Sequence, residues 1–307
     1  MTKKQGVSMV DLLLVFVAAS WGLHPIFIKF GIENLDPGTF GPLRMVLAAI
    51  TAIAITGFLK EFKTIDKCDY PKLFIVSITG YFCYQYFFGL GSMNTTSGNV
   101  SFIFALVPVS IAIINWVRKT ETITKQMLAG ILVSVLGVFT LILGSGQSLD
   151  FSGSNMKGII YVFMAQLAFA LFTTLSGDLS KKYSSSLVSC YAITISSILF
   201  VGFSAKDINI QALVNAPAIA WINAALSGVL AVSVSSFLWT WGARKLGSTK
   251  VSVYNNLPPV FTMIAGYFML GETFTITQIT GALLIFGGLY ITNAKFNFNK
   301  LSYANNM

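Results

Sequence analysis

Ten apolar runs, each close to the length that crosses a membrane and separated by short polar breaks, constrain this chain more than any other feature. A spanning helix needs ~20 predominantly apolar residues for the ~30 Å hydrocarbon layer. Lipid offers a free backbone N–H or C=O no partner, so such runs must be helical. They lie at 10–30, 40–59, 73–93, 98–117, 126–143, 158–179, 187–203, 221–241, 251–270 and 277–291. The seventh and tenth are short, and the third and fourth meet at residues 91–94 without a charged break. Of the 307 residues 55% are apolar and only 10% charged, with a mean hydropathy of +0.74; a soluble domain carries ~25% charged residues. The expectation is an all-α polytopic membrane protein, with residues 1–307 forming a single membrane domain that no linker divides.

The formal charge of +9 invites a nucleic-acid reading until the charges are placed. With the N-terminus on the cytoplasmic side, sixteen Lys and Arg fall on inner loops, while only Lys29, Lys157 and Lys206 fall outside and Arg44 sits within the second helix. That is the positive-inside pattern, and it would scramble with one span more or fewer. The basic excess is therefore topological, both termini are expected in the cytoplasm, and a nucleic-acid partner is set aside. Lys3 and Lys4 before an apolar stretch have the outline of a signal peptide. Asp11 interrupts it and the apolar run continues past Trp21 to Phe30, so a retained first helix is expected. Cys68, Cys83 and Cys190 have neither CxxC nor metal spacing and are expected to pack as buried side chains.

Residues 108–137 align without gaps on 259–288. Nine of the thirty pairs are identical, among them Pro108/Pro259, Glu121/Glu272, Thr122/Thr273, Gly130/Gly281 and Gly137/Gly288. Apolar composition alone would not align Pro, Glu and Gly. Each half then holds five helices, an odd number, so equivalent helices run in opposite directions. Inverted-topology repeats of this kind build a solute site at the midplane and alternate its access between the two sides.

Ala18-Ala19-Ser20-Trp21-Gly22 in the first helix, the doubled Pro…Glu-Thr…Gly…Gly pattern and Arg44 in the second helix resemble the drug/metabolite transporter superfamily, specifically its EamA-type permeases. The resemblance implies ten helices as two inverted five-helix repeats, 8–146 and 155–294, around a central cavity lined by helices 1, 3, 4, 6, 8 and 9. It also implies a secondary transporter in the cell membrane, usually exporting amino acids or other metabolites. The His24-Pro25 pair stands where many relatives carry small or polar residues.

Candidate solute contacts are Trp21, His24, Tyr81, Tyr84, Gln85, Asn99, Gln166, Ser233, Trp239 and Asn255. Tyr81, Tyr84 and Gln85 share a helix face by spacing, and polar groups in lipid either glue helices together or line a path. His24, the only histidine, has three open readings: a structural hydrogen bond, solute contact, or proton coupling. Arg44 is expected to snorkel outward or to pair with Glu33 or Asp36, with anion attraction as the alternative. Pro25, Pro108, Pro258 and Pro259 each free a carbonyl four residues back and are candidate hinges. Glu121 and Glu272 fall at span ends and are expected to serve helix entry; Thr275 and Gln278 form a capping-box pattern.

All eleven acids fall in loops or at span ends, so no midmembrane carboxylate is available for ion coupling. Coupling would need His24, an end residue such as Asp178, or the solute's own proton. There is no HExxH, no P-loop and no membrane aspartate pair, so no enzyme activity, catalytic residue, metal site or cofactor is expected. The expected partners are a small solute and membrane lipid, with a homodimer left open. Export of an amino acid or related metabolite leads; uptake of a vitamin or nucleoside, or a sensor or lipid-handling role, are the alternatives.

Overall fold

The computed structural model describes residues 8–270 and 273–293, the side chains of 269 and 270 excepted. Glu272, one of the repeat pair, lies outside the described residues. Nine helices in the described residues are long and apolar enough to cross a membrane: α1 Met9–Ile32, α2 Pro37–Phe58, α3 Lys67–Met93, α4 Ser97–Arg118, α5 Lys125–Gly144, α6 Gly153–Lys182, α7 Ser185–Phe203, α8 Ala218–Leu246 and, last in the chain, Ile276–Asn293. Between α8 and that last helix the chain runs through Ser248–Ser252, Val253–Asn256 and Pro258–Leu270, together α9. The last span is α10. Each apolar run holds a helix, and the helices extend a few residues into the polar breaks. A short helix, Ile210–Val214, falls outside the apolar runs.

Helix ends follow local chemistry. Ser8 and Asp11 form a capping box at α1, Asp36 caps α2, Thr96 caps α4 and Thr124 caps α5, each supplying an acceptor to a backbone N–H that would otherwise be orphaned. The Thr275 backbone N–H donates to Gln278 Oε1 at 2.8 Å, and the Gln278 N–H returns to Thr275 Oγ1 at 3.1 Å, as the sequence pattern requires. Gly247, at φ 89°, makes the turn between α8 and α9 that a side chain would oppose.

Irregularities recur 151 residues apart. The helical run of α4 breaks at Leu106 and that of α9 at Leu257. A π-helical stretch occupies Ile78–Cys83 in α3 and Leu226–Val234 in α8, and the two end at residues separated by the same interval. Pro108, Pro258 and Pro259 follow the two breaks directly, whereas Pro25 leaves α1 continuous.

The halves interlace. α1 packs on α8 and α9 while α6 packs on α3 and α4; α2 lies against α7 and α8, and α7 against α3. The most extensive contact joins α5 to α10. There a Cβ added to Gly130 would lie 2.6 Å from the Gly288 carbonyl oxygen, and one on Gly137 2.8 Å from the Gly281 carbonyl oxygen. Such backbone approach, open only to glycine, is how helices gain packing energy in a solvent as apolar as themselves. The partners ascend on one helix and descend on the other, so α5 and α10 are antiparallel.

The ion pairs among the described residues gather at one end. Arg118 reaches Asp178 at 2.7 Å, with Lys181 and Lys72 at 3.1 and 3.7 Å, and Lys182 sits 2.6 Å from both Asp66 and Asp69. We call this the basic end. The cysteines are all free: Cys190 is buried and Cys83 half-buried, but Cys68 is exposed beside Asp66 and Asp69, because it falls in the first turn of α3, ahead of its apolar run.

Candidate functional site

Trp21 and His24 lie three residues apart on α1 and so share a face. Trp21 Nε1 donates to the Ala231 carbonyl at 3.0 Å, and His24 Nε2 lies 2.8 Å from Ser227 Oγ. Both partners belong to the π-helical stretch of α8, where a wider turn displaces backbone groups from the regular ladder. The structure thus gives His24 an interhelical hydrogen bond.

Around Trp21 the rings close into one cluster. Trp239 stands 4.9 Å away and Phe169 5.6 Å; Phe169 meets Tyr84 at 5.5 Å, and Tyr84 meets Phe104 at 5.9 Å. Tyr81 packs on Phe172 at 5.2 Å. Trp239 Nε1 donates to Thr173 Oγ1 at 3.1 Å, and Gln166 Nε2 to Ser110 Oγ at 3.0 Å. The residues expected to line an open central cavity therefore pack against one another here.

The break in α4 is stitched to the break in α9. Pro108 lacks the N–H that would serve the Phe104 carbonyl, and Asn255 Nδ2 donates to that oxygen instead at 3.2 Å. The Tyr254 carbonyl, freed by Pro258, is taken by the Leu257 N–H at 3.1 Å. Thr262 Oγ1 donates to the Gly22 carbonyl at 2.8 Å, tying α9 to α1. The freed carbonyls of Phe104 and Tyr254 thus find protein partners.

Two expectations need correction. Arg44 neither snorkels nor meets Glu33 or Asp36: it is 6% exposed, and its Nη2 donates to Gln85 Oε1 at 3.1 Å. Its side chain projects into the bundle, which spacing along α2 alone could not reveal. Asn99 stands apart from the aromatic cluster. Its amide donates to the Asp150 carbonyl at 2.5 Å and its Oδ1 accepts the Asp150 N–H at 3.1 Å, so it anchors the loop after α5. The remaining candidates, Trp21, His24, Tyr81, Tyr84, Gln85, Gln166, Ser233, Trp239 and Asn255, lie on α1, α3, α6, α8 and α9. Ser233 Oγ is buried without a hydrogen-bond partner.

Phe169, Phe172 and Ser227 were not among the sequence candidates. Phe169 and Phe172 follow Gln166 at helical spacing and could have been read from that face; Ser227 depends on a π-helix that no simple periodicity signals.

Burial is uneven across the cluster. Leu14, Val17, Trp239, Tyr254 and Leu257 are almost wholly buried, whereas His24, Gln85, Phe88, Asn255 and Phe261 remain half-buried. Glu121 ties the two halves together near the basic end. Its carboxylate accepts the Ser248 N–H and hydroxyl at 2.7 and 2.8 Å and the Thr249 N–H at 3.1 Å, while Asn115 Nδ2 reaches both hydroxyls at 2.8 Å. It caps a helix of the other half, not the helix that follows it. Asp178, a candidate for coupling, is occupied by three cations.

Comparison with known proteins agrees with this architecture. A solved crystal structure superposes with a TM-score of 0.78 over 94% of this chain and 99% of its own at 14% identity, a likeness of fold. An uncharacterized transporter of Archaeoglobus fulgidus is 27% identical over 92% of this chain and 98% of its own length. A probable amino-acid metabolite efflux pump of Salmonella typhimurium is 24% identical over 95% of each. The family and these relatives are transporters, not enzymes. The model of the EamA-like transporter family matches twice, at residues 8–143 and 156–294, and the chain, a multi-pass membrane transporter, belongs to that family.

Proposed function

We propose that the chain is a secondary transporter that exports a small metabolite, an amino acid or a related compound, across the cell membrane by alternating access. Two five-helix halves, 8–146 and 155–294, run in opposite senses and meet around the aromatic cluster, with the basic end and both termini in the cytoplasm. The observation that carries this reading is the pair of helix breaks at Leu106 and Leu257, joined by the Asn255–Phe104 bond. Interrupted helices at equivalent places in two halves are where such transporters bind and move. Gly130–Gly288 and Gly137–Gly281 support it, because the contact of one half's glycine with the other's is exchanged as a two-fold axis requires. The efflux pump of Salmonella typhimurium supports an exported amino-acid metabolite. Trp21, His24, Tyr81, Tyr84, Gln85, Gln166, Ser233, Trp239 and Asn255 supply the solute contacts, and the residues flanking Pro108, Pro258 and Pro259 flex.

The test is flux in proteoliposomes preloaded with amino acids, vitamins or nucleosides, with and without a pH gradient. Efflux of an amino acid or close relative is expected; silence across the panel would sink the proposal. Exposed Cys68 at the basic end reports orientation. An impermeant maleimide should label it in inside-out vesicles and spare it in right-side-out ones.

A further inference from the structure

Arg44 is the only charged side chain in the buried interior of the described residues. Its Nη1 is buried with no hydrogen-bond partner, and no carboxylate lies within ion-pair distance among the described residues. Arg118, Lys72 and Lys182, by contrast, each have an acid. A buried charge without a counter-charge is expensive, and in a membrane it points to function. The single hydrogen bond to Gln85 offsets only part of that cost.

What surrounds the guanidinium is polar and level with it. Arg44 on α2, His24 on α1, Gln85 on α3 and Ser227 on α8 lie seven to nine residues in from the helix ends opposite the basic end. At 1.5 Å per residue that is about 10–14 Å deep in all four helices. A Cβ on Gly228 would lie 2.1 Å from the Arg44 carbonyl oxygen, so the backbones of α2 and α8 touch at the level of the His24–Ser227 pair. The Arg44 charge acts on both His24 and Tyr84. Tyr84 in turn packs on Phe169, which meets Trp21 edge-on.

We propose that Arg44, held by Gln85 and flanked by His24 and Ser227, is an anion subsite for the transported solute, which offers Nη1 a carboxylate or other oxyanion and lays an apolar body against Tyr84, Phe169 and Trp21. Arginine's planar fork suits an oxyanion better than any other side chain. The cluster holds no acid, so a zwitterion's ammonium would meet aromatic faces, which attract cations more weakly than a carboxylate does. The class is therefore a small anion or zwitterion, and a simple amine is excluded. This inference rests on the transporter reading.

The test uses the purified full chain in detergent, followed by thermal stability and tryptophan fluorescence. The probes are 3-phenylpropionate, phenylalanine, 3-phenylpropionamide, phenethylamine and phenyl phosphate. The acids are expected to stabilise and the amide and amine to do nothing; phenyl phosphate against phenylpropionate separates phosphate from carboxylate. Arg44→Gln should weaken acid binding about 10–100-fold, the loss of a charged hydrogen bond, and Arg44→Lys should restore part of it. Arg44→Gln retaining the preference for acids, an amide that stabilises as well as its acid, or no response to any anion would overturn the proposal. If Arg44→Gln does not fold, the acid and amide pair on the natural protein decides. Acid binding without flux of any solute would remove the transporter reading and leave the subsite standing; flux indifferent to Arg44→Gln would do the reverse.

Discussion

Gly137→Ala is the sharpest probe of the α5–α10 contact. In an isolated helix interior Ala is favoured over Gly by about 0.5–1 kcal/mol. Here the added Cβ would lie 2.7 Å from the Ile285 nitrogen and 2.8 Å from the Gly281 carbonyl oxygen. Ordinary contact begins at 3.4 Å, so the helices must part by several tenths of an ångström along their shared face. Overpacking of that kind costs about 1–3 kcal/mol, which exceeds the propensity gain. The expected net loss is about 0.5–2 kcal/mol, and the sign has an internal control. Gly287, on the partner helix α10, has nothing within 4 Å of its Cβ position, so Gly287→Ala should be neutral or stabilising. Gly281→Ala meets the Gly137 carbonyl at 2.7 Å, and once one methyl has separated the helices the second costs less. The double variant should therefore lose less than the sum of the singles, as contacting sites do. Thermal inactivation in one detergent, read by monodispersity, measures all four. A Gly137→Ala protein that outlasts the natural one, or additive losses, would refute the close approach.

Asn255→Leu should orphan the Phe104 carbonyl and cost about 1–3 kcal/mol; adding Pro108→Ala, whose new N–H can serve that carbonyl, should recover stability, and failure of the rescue would discount the bridge. Glu121→Gln should loosen the basic end, read as faster alkylation of a cysteine placed at buried Val251 in a background lacking the three natural cysteines. Unchanged alkylation would show that Glu121 does not tie the halves together there. Asn99→Ala should lower thermal stability through the freed Asp150 loop while leaving solute affinity unchanged, and a comparable loss of affinity would return Asn99 to the site. His24→Gln should abolish any dependence of flux on the pH gradient if His24 carries protons; retained dependence would confine it to its bond with Ser227.

Spans were readable because lipid imposes a length and a composition that no packing arrangement can relax. Boundaries were less so, since helices overrun their apolar cores until a cap such as Thr96 or Thr124 stops them. The run at 251–270 is long enough to span, yet its helix is broken at Leu257. Its length carries no trace of the break, whereas Asn255 and Asn256 before it and Pro258 and Pro259 after it do. In the site, Trp21, Tyr84 and Trp239 were legible as aromatic and polar faces at helical spacing. Arg44 and Asn99 were not, because the direction a long side chain takes, and the loop an amide reaches, depend on which helices become neighbours. Neither the reach of Arg44 across to Gln85 nor the Asp150 loop over α4 is written in local sequence.

The two breaks also suggest where this transporter's chemistry comes from. Symmetry alone would place the same group at both, but the positions 151 apart that meet there are Phe104 and Asn255. One half contributes a carbonyl oxygen and a ring to the cluster, the other an amide that closes on that oxygen. If the halves exchange conformations, the repeated features, glycines, breaks and π-helical stretches, are the ones that must stay alike, because each half adopts in turn the shape of the other. Solute recognition carries no such demand. It is free to collect where the halves have diverged, and Phe104, Asn255, His24 and the uncompensated charge of Arg44 lie in that layer. A substitution at a repeated position should therefore slow flux of every solute together, whereas one in the diverged layer should change which solute moves.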